Sequence, residues 1–171
     1  MFLHLALLYH ASLQHANLEL SPAVKQKLAQ ATLWLQGIMD AASGQVANLG
    51  HNDGTLLLPF GCQGYGDYRP TLQAASLAFL GCTALPAGPW DALSTILGLP
   101  QPHQTTSQSA PTTPASSRIG NEQLWTSLRA VHFNSRPAHA DQLHVEIWYG
   151  GHNIALDAGT YAYNDLPPWQ N

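Results

Sequence analysis

The densest set of groups able to move protons or hold an anion lies in Arg136-Pro-Ala-His-Ala-Asp-Gln-Leu-His-Val-Glu-Ile-Trp-Tyr-Gly-Gly-His-Asn-Ile-Ala-Leu-Asp-Ala-Gly-Thr-Tyr161. Arg136 offers a planar fork suited to a carboxylate. His139, His144 and His152 belong to the residue type that titrates near neutral pH, and Asp141, Glu146 and Asp157 lie close by in the sequence. These are the components of general acid–base chemistry. Two polar stretches precede them, Asn48-Leu-Gly-His-Asn-Asp-Gly54 and Gly64-Tyr-Gly-Asp-Tyr-Arg69. Asn48, His51, Asn52, Asp53 and Arg69 are the substrate-binding candidates there, because long polar loops between helices are common functional surfaces. Asn52-Asp53-Gly54 reads equally well as a plain turn with Asp53 as its cap. Arg69 is either a carboxylate fork or the local ion partner of Asp67.

The element positioning the first set is a β-hairpin. Gly150-Gly151 supplies the positive φ values of a primed two-residue turn, so the flanks should pair antiparallel. An unbroken ladder pairs Tyr149 with His152, Trp148 with Asn153, Ile147 with Ile154, Glu146 with Ala155, Val145 with Leu156, His144 with Asp157 and Leu143 with Ala158. Alternation then predicts that Leu143, Val145, Ile147, Ile154 and Leu156 cover a core, while His144, Glu146 and Asp157 point away from it. In that register His144 and Asp157 form a hydrogen-bonded pair that orients the hairpin.

Upstream the pattern is helical. The first helix spans roughly Phe2 to Ala16, and the second begins with Ser21 as N-cap and Pro22 at its first position, where no backbone donor is needed. Val24, Leu28, Ala31, Leu35 and Ile38 form its apolar stripe. A third helix starts near Asp67 and Pro70, runs through Leu72 to Leu80, and closes at Gly81 in a left-handed cap. Residues 101–117 are rich in Pro, Ser, Thr and Gln, the composition of a linker or long loop. The division is therefore a helical part over 1–100, a linker over 101–117 and an antiparallel β part over 118–171, an α+β chain.

With 171 residues, 45% of them hydrophobic, the chain is long and apolar enough to bury a core. Only six Lys and Arg are present and the net charge is -4, so no basic stripe favours nucleic acid. No stretch is long enough to span a membrane. The apolar opening Met1-Phe-Leu-His-Leu-Ala-Leu-Leu lacks the basic flank and cleavage site of a signal peptide and reads as part of the first helix. Cys62 and Cys82 lack metal-site or Cys-x-x-Cys spacing. They are either a single disulfide or two small buried residues. Trp125, Trp148, Tyr149 and Trp169 are the candidates for stacking against sugars.

Taken in order, Asn48-Leu-Gly-His-Asn-Asp-Gly, Asp67-Tyr-Arg-Pro-Thr-Leu-Gln-Ala-Ala and the run from Arg136 to Asn164 resemble the bacterial heparinase II/III-like polysaccharide lyases. The resemblance implies the last helices of an incomplete (α/α) toroid joined to the start of an antiparallel β-sandwich. It implies β-elimination across the C4–O bond of a uronic acid in an acidic polysaccharide of the glycosaminoglycan or alginate kind, in the periplasm or cell envelope. The substrate carboxylate is neutralised, a base removes the C5 proton and an acid protonates the leaving oxygen. His139 and Arg136 are the catalytic candidates it points to. Pro137 stands where some members carry the catalytic histidine, so His139 is either the base or, with Asp157, a ligand of a structural zinc. The toroid-side Tyr and Asn or His of the family have no counterpart in this sequence, Tyr9 lacking the matching context. The chain alone is therefore expected to be inactive. A carbohydrate-binding or structural role without catalysis is the alternative, and an open sandwich edge would favour self-association.

Overall fold

The computed structural model describes residues 2–47, 56–100, 116–130, 132, 134 and 142–157. Helix α1 spans Phe2–His15 and α2 spans Pro22–Ile38. Ser21 caps α2 as expected: its backbone is extended and its Oγ accepts from the Val24 N–H at 3.4 Å. Burial on α2 falls on Leu28, Thr32, Leu35 and Ile38. This corrects the apolar stripe, since Val24 is exposed and Thr32 takes a core position. A threonine is tolerated there because its hydroxyl donates to the Leu28 carbonyl one turn back, at 2.8 Å.

Helix α3 covers Arg69–Ala75 and continues as a π-helical turn over Ser76–Leu80. Gly81 ends it at φ 73°, with its N–H bonded to the Ser76 carbonyl at 3.0 Å, the left-handed closure that the glycine predicts. Leu7, Leu28, Leu77, Phe79, Leu93 and Leu99 form the main helical core, and Leu35, Met39 and Leu72 a second cluster. A 3-10 turn at Pro89–Asp91 leads into a short helix α4, Ala92–Ile96, that periodicity did not reveal. Gln73, buried at the heart of this region, explains why it holds together. Its Oε1 accepts from the Ala84 and Leu85 N–H groups at 3.1 and 3.0 Å, while its Nε2 donates to Asp91 Oδ1 at 2.8 Å.

The β part is a four-stranded antiparallel meander in the order β1 (Ser116–Gly120), β2 (Leu124–Arg129), β3 (Val145–Tyr149) and β4 (His152–Ala155). Asn121 shapes the first turn by accepting from the Gln123 and Leu124 N–H groups, both at 2.9 Å. Gly150 and Gly151 take φ 56° and 81° at the β3–β4 turn, the primed turn predicted. Tyr149 pairs with His152 and Trp148 with Asn153. Beyond that the register shifts by one, so Ile147 pairs with Ala155 rather than Ile154 and the ladder ends there. The continuous register expected for Glu146, Val145 and His144 is therefore corrected: a bulge absorbs one residue of β4.

The larger correction concerns which face is buried. Trp125, Ser127, Glu146 and Trp148 are buried, whereas Leu143, Val145, Ile147, Ile154 and Leu156 are exposed. The expected core face is the outer one. Across the sheet, Ile119 pairs with Thr126 and Thr126 with Ile147, aligning the outer row; Trp125 pairs with Trp148 and Ser127 with Glu146, aligning the inner one.

Candidate functional site

The helical and β parts meet at the tight turn that follows α2. Met39 forms a β-bridge with Val46, and between them the Asp40 N–H bonds to the Gln45 carbonyl while the Gly44 N–H bonds to the Asp40 carbonyl, each at 2.8 Å. The Asp40 carboxylate is almost wholly buried. Its Oδ2 accepts from the Ser43 N–H and Oγ at 2.8 Å each, and its Oδ1 accepts from the Trp125 indole N–H at 3.2 Å. Burial alone would push this carboxyl up. The bonds from Ser43 and Trp125 and the charge of Arg118 outweigh it, and Asp40 stays below the ordinary carboxylate range.

On the sheet side Trp125 stacks on Trp148, with ring centroids 5.0 Å apart and planes within 5°. Arg118 lies over Trp125 with its guanidinium carbon 3.9 Å from the ring centroid, and donates to the Met39 carbonyl at 3.0 Å. The two tryptophans are thus structural, their ring faces spent on each other and on Arg118 rather than offered to a sugar. Glu146, fully buried beside them, accepts from Asn153 Nδ2 at 2.8 Å and from the Trp148 indole at 3.2 Å, with His144 Nε2 3.2 Å away. A buried carboxylate is stable when its oxygens are met by donors in this way. His144 is therefore oriented by Glu146, two residues along the same strand edge, and the ladder that would have set it opposite Asp157 does not extend that far.

Arg69 reaches the same turn from the other side. Its guanidinium grips Asp67, with Nη2 to Oδ2 at 2.6 Å and Nε to Oδ1 at 2.9 Å, and Nη1 donates to the Ala42 carbonyl at 3.3 Å. The Arg69 side chain also lies over Trp90, 4.9 Å from the ring centroid. Its hydrogen bonds to Asp67 hold it more firmly protonated than a free arginine. Gly44 makes the approach possible: at φ 76°, a Cβ there would collide with Asp67 Oδ1 and Arg69 Nε. Opposite, a Cβ on Gly151 would lie 3.4 Å from Ala42 Cβ and 3.5 Å from Asp40 Oδ2. The tip of the β3–β4 hairpin and Arg69 are thereby brought against opposite sides of one short turn.

Of the sequence-derived site residues, Arg69 and Asp157 lie among those described, Asp157 half-buried just past β4. Asn48, His51, Asn52, Asp53, Arg136 and His139 lie outside the described residues, as do Asp141 and Trp169. Among the described residues no three His, Cys, Asp or Glu side chains cluster as metal ligands, and His139, which would share a zinc with Asp157, lies outside them. Cys62 is exposed and Cys82 buried, both as free thiols. Among the described residues no helix is long and apolar enough to cross a membrane. Asp40, Arg118 and Glu146 were not singled out by sequence reasoning as members of one junction. The usable signal was the indole N–H of two tryptophans at inward positions, since a buried indole usually finds an acceptor.

The arrangement defines an α+β protein whose helices and antiparallel sheet share a polar junction. Residues 121–171, which include β2, β3 and β4, match the family described as Heparinase II/III-like, C-terminal, so the resemblance carried by the Arg136–Tyr161 motif is shown for this part of the chain. No curated protein and no solved structure matches the chain.

Proposed function

We propose that this chain contributes the sheet side and part of the helical side of a polysaccharide lyase cleft of the heparinase II/III type, acting by β-elimination on an acidic polysaccharide that contains uronic acid. The match over 121–171 carries the reading, because that segment holds both Arg136 and His139. Arg136 neutralises the substrate carboxylate, which stabilises the enolate-like charge that develops when C5 is deprotonated. His139 takes the C5 proton and an acid returns one to the departing O4. Asn48, His51, Asn52 and Asp53 donate and accept hydrogen bonds along the sugar on the helical side. Arg69 serves as a positioning residue, since most of its donors are already committed to Asp67 and Ala42. The contact of the hairpin tip with the Asp40–Gly44 turn supports the idea that helical and sheet residues face one substrate.

Two measurements test this. Binding of uronate oligosaccharides to the 171-residue chain should fall at least tenfold in Arg136→Ala, and should disappear when the oligosaccharide carboxylates are reduced to alcohols. The absorbance of unsaturated uronate product should stay flat for the chain alone, because the toroid-side Tyr and Asn or His that the resemblance calls for have no counterpart in it. Turnover lost in His139→Ala would keep the lyase reading and refute inactivity. Binding indifferent to both Arg136 and the substrate carboxylate would sink the site. Zinc analysis of His139→Ala and Asp157→Ala separates proton transfer from ligation: loss of bound metal in both variants would assign His139 to the metal.

A further inference from the structure

A cavity of about 30 Å³ lies where α1, α3 and α4 meet the segment 56–64. Leu58, Phe60 and Leu93 form part of its wall, and His4, Gln63 and Thr71 bring polar atoms to it. His4 is 95% buried and its Nε2 lies 2.7 Å from Thr71 Oγ1. Among the described residues neither His4 Nδ1 nor Gln63 Oε1 has a hydrogen-bond partner, although both atoms are buried. The amide nitrogen of Gln63 is turned the other way, toward Cys62 Sγ at 3.7 Å. A neutral imidazole carries one donor and one acceptor, whereas an amide oxygen only accepts. Two orphaned polar atoms on one cavity are therefore chemically complementary, given something between them that both accepts and donates. A water needs roughly 10–15 Å³ of such room and two to four polar partners.

We propose that this cavity binds an ordered water that accepts from His4 Nδ1–H and donates to Gln63 Oε1, with the Thr71 hydroxyl donating to His4 Nε2. The assignment fixes the tautomer of His4 as Nδ1–H. Burial, reinforced by the charge of the chain's amino terminus, lowers the His4 pKa, so the ring stays neutral at neutral pH and keeps one donor and one acceptor. The water ties α1 to the segment 56–64, which follows the polar Asn48–Gly54 stretch in the sequence. This inference is independent of the lyase reading.

Long-range proton–nitrogen correlation spectra of the full chain labelled at histidine nitrogen test it, with the His4 signals assigned by their loss in His4→Asn. Expected are an Nδ1–H pattern for His4, at least a tenfold slowed exchange of that proton relative to an exposed histidine, and a cross-relaxation peak from it to water. Gln63→Leu should abolish the water peak, and Gln63→Glu should retain it. An Nε2–H pattern, a missing water peak in the native chain, or a peak untouched by Gln63→Leu would overturn the proposal. If Gln63→Leu does not fold, the native tautomer and water peak decide alone.

Discussion

The two faces of the four-stranded sheet have opposite fates. On the inner face Trp125 and Trp148 are 2% and 1% exposed, while on the outer face Ile119 and Ile154 are 67% and 61% exposed. Hydropathy would have ranked them the other way, since the inner face also carries Glu146, Ser127 and Asn153. Period-two alternation reveals that a strand has two unlike faces, but the layer that packs against it decides which one is inside. Here that layer is the Asp40–Gly44 turn. It presents a carboxylate to an indole N–H, so the face that needs hydrogen-bond partners is the one that docks. The outer row of Leu124, Val145, Ile147, Tyr149 and Ile154 is left exposed.

The sharpest way to break the comparison is to remove inner-face bulk. Trp148→Ala deletes a fully buried ring together with its stack on Trp125, and should cost about 3–5 kcal/mol in urea unfolding. A loss under about 1 kcal/mol, the range of ordinary surface changes, would mean that the inner face is not a core.

Next in size is the carboxylate beneath the stack. Asp40→Ala leaves the buried Trp125 N–H without its acceptor, at roughly 1–3 kcal/mol, and releases the part-buried Ser43 N–H and hydroxyl, which water can reach. The charge adds a pH signature. Because the folded-state pKa of Asp40 is depressed, its stabilisation is present above the unfolded carboxyl value near ~4 and is lost as pH falls through the lower folded value. Urea midpoints measured downward from pH 5 should therefore fall less steeply in Asp40→Asn than in the native chain. Parallel slopes would show that the carboxylate does not anchor the junction.

Gly44→Ala tests the helical side of the same turn. The added methyl must occupy a left-handed backbone position, costing about 1–2 kcal/mol, and must also displace the Asp67–Arg69 pair. The loss should shrink in the double variant Gly44→Ala with Asp67→Ala, which removes the nearer collision and frees the Arg69 side chain to move away. An additive double variant would separate the turn from the ion pair.

What was legible in the sequence follows from the range of the interactions that decide each feature. Ser21 with Pro22, Gly81 and Gly150-Gly151 act within a few residues of themselves, and helix α2's start, the end of the π turn and the hairpin tip all stand where those residues predict them. Arg69 beside Asp67 was also a local matter, and the ion-pair alternative is the contact formed. The burial of Glu146 and Trp148 was not local, because it depends on Asp40, which lies 85 residues before its partner Trp125. The one-residue bulge in β4 has no signature in apolar alternation, so Ile147 pairs with Ala155 and the pairings expected beyond it do not form. The calls on Arg136, His139 and the Asn48–Asp53 group fall outside the described residues, while the junction that brings hairpin and helices together was legible only as two well-placed tryptophans.

The smallest expected effect is on the outer face, and there a large result would be the more instructive one. Ile147 sits in the middle of the outer row, paired with Thr126 on one side and Ala155 on the other. Ile147→Thr keeps the β-branched shape and the strand propensity while replacing a methylene-bearing arm with a hydroxyl. On a solvent-facing strand this should alter stability by less than about 0.5 kcal/mol, the ordinary range for a surface substitution. If the outer row is covered in solution, the same hydroxyl enters a desolvated site and the cost rises to about 1–3 kcal/mol. Unfolding measured at several protein concentrations separates the causes. A cost that grows with concentration identifies a second copy as the cover, and a cost independent of concentration identifies the chain's own residues. A negligible cost at every concentration leaves the two faces as unlike as their exposures make them.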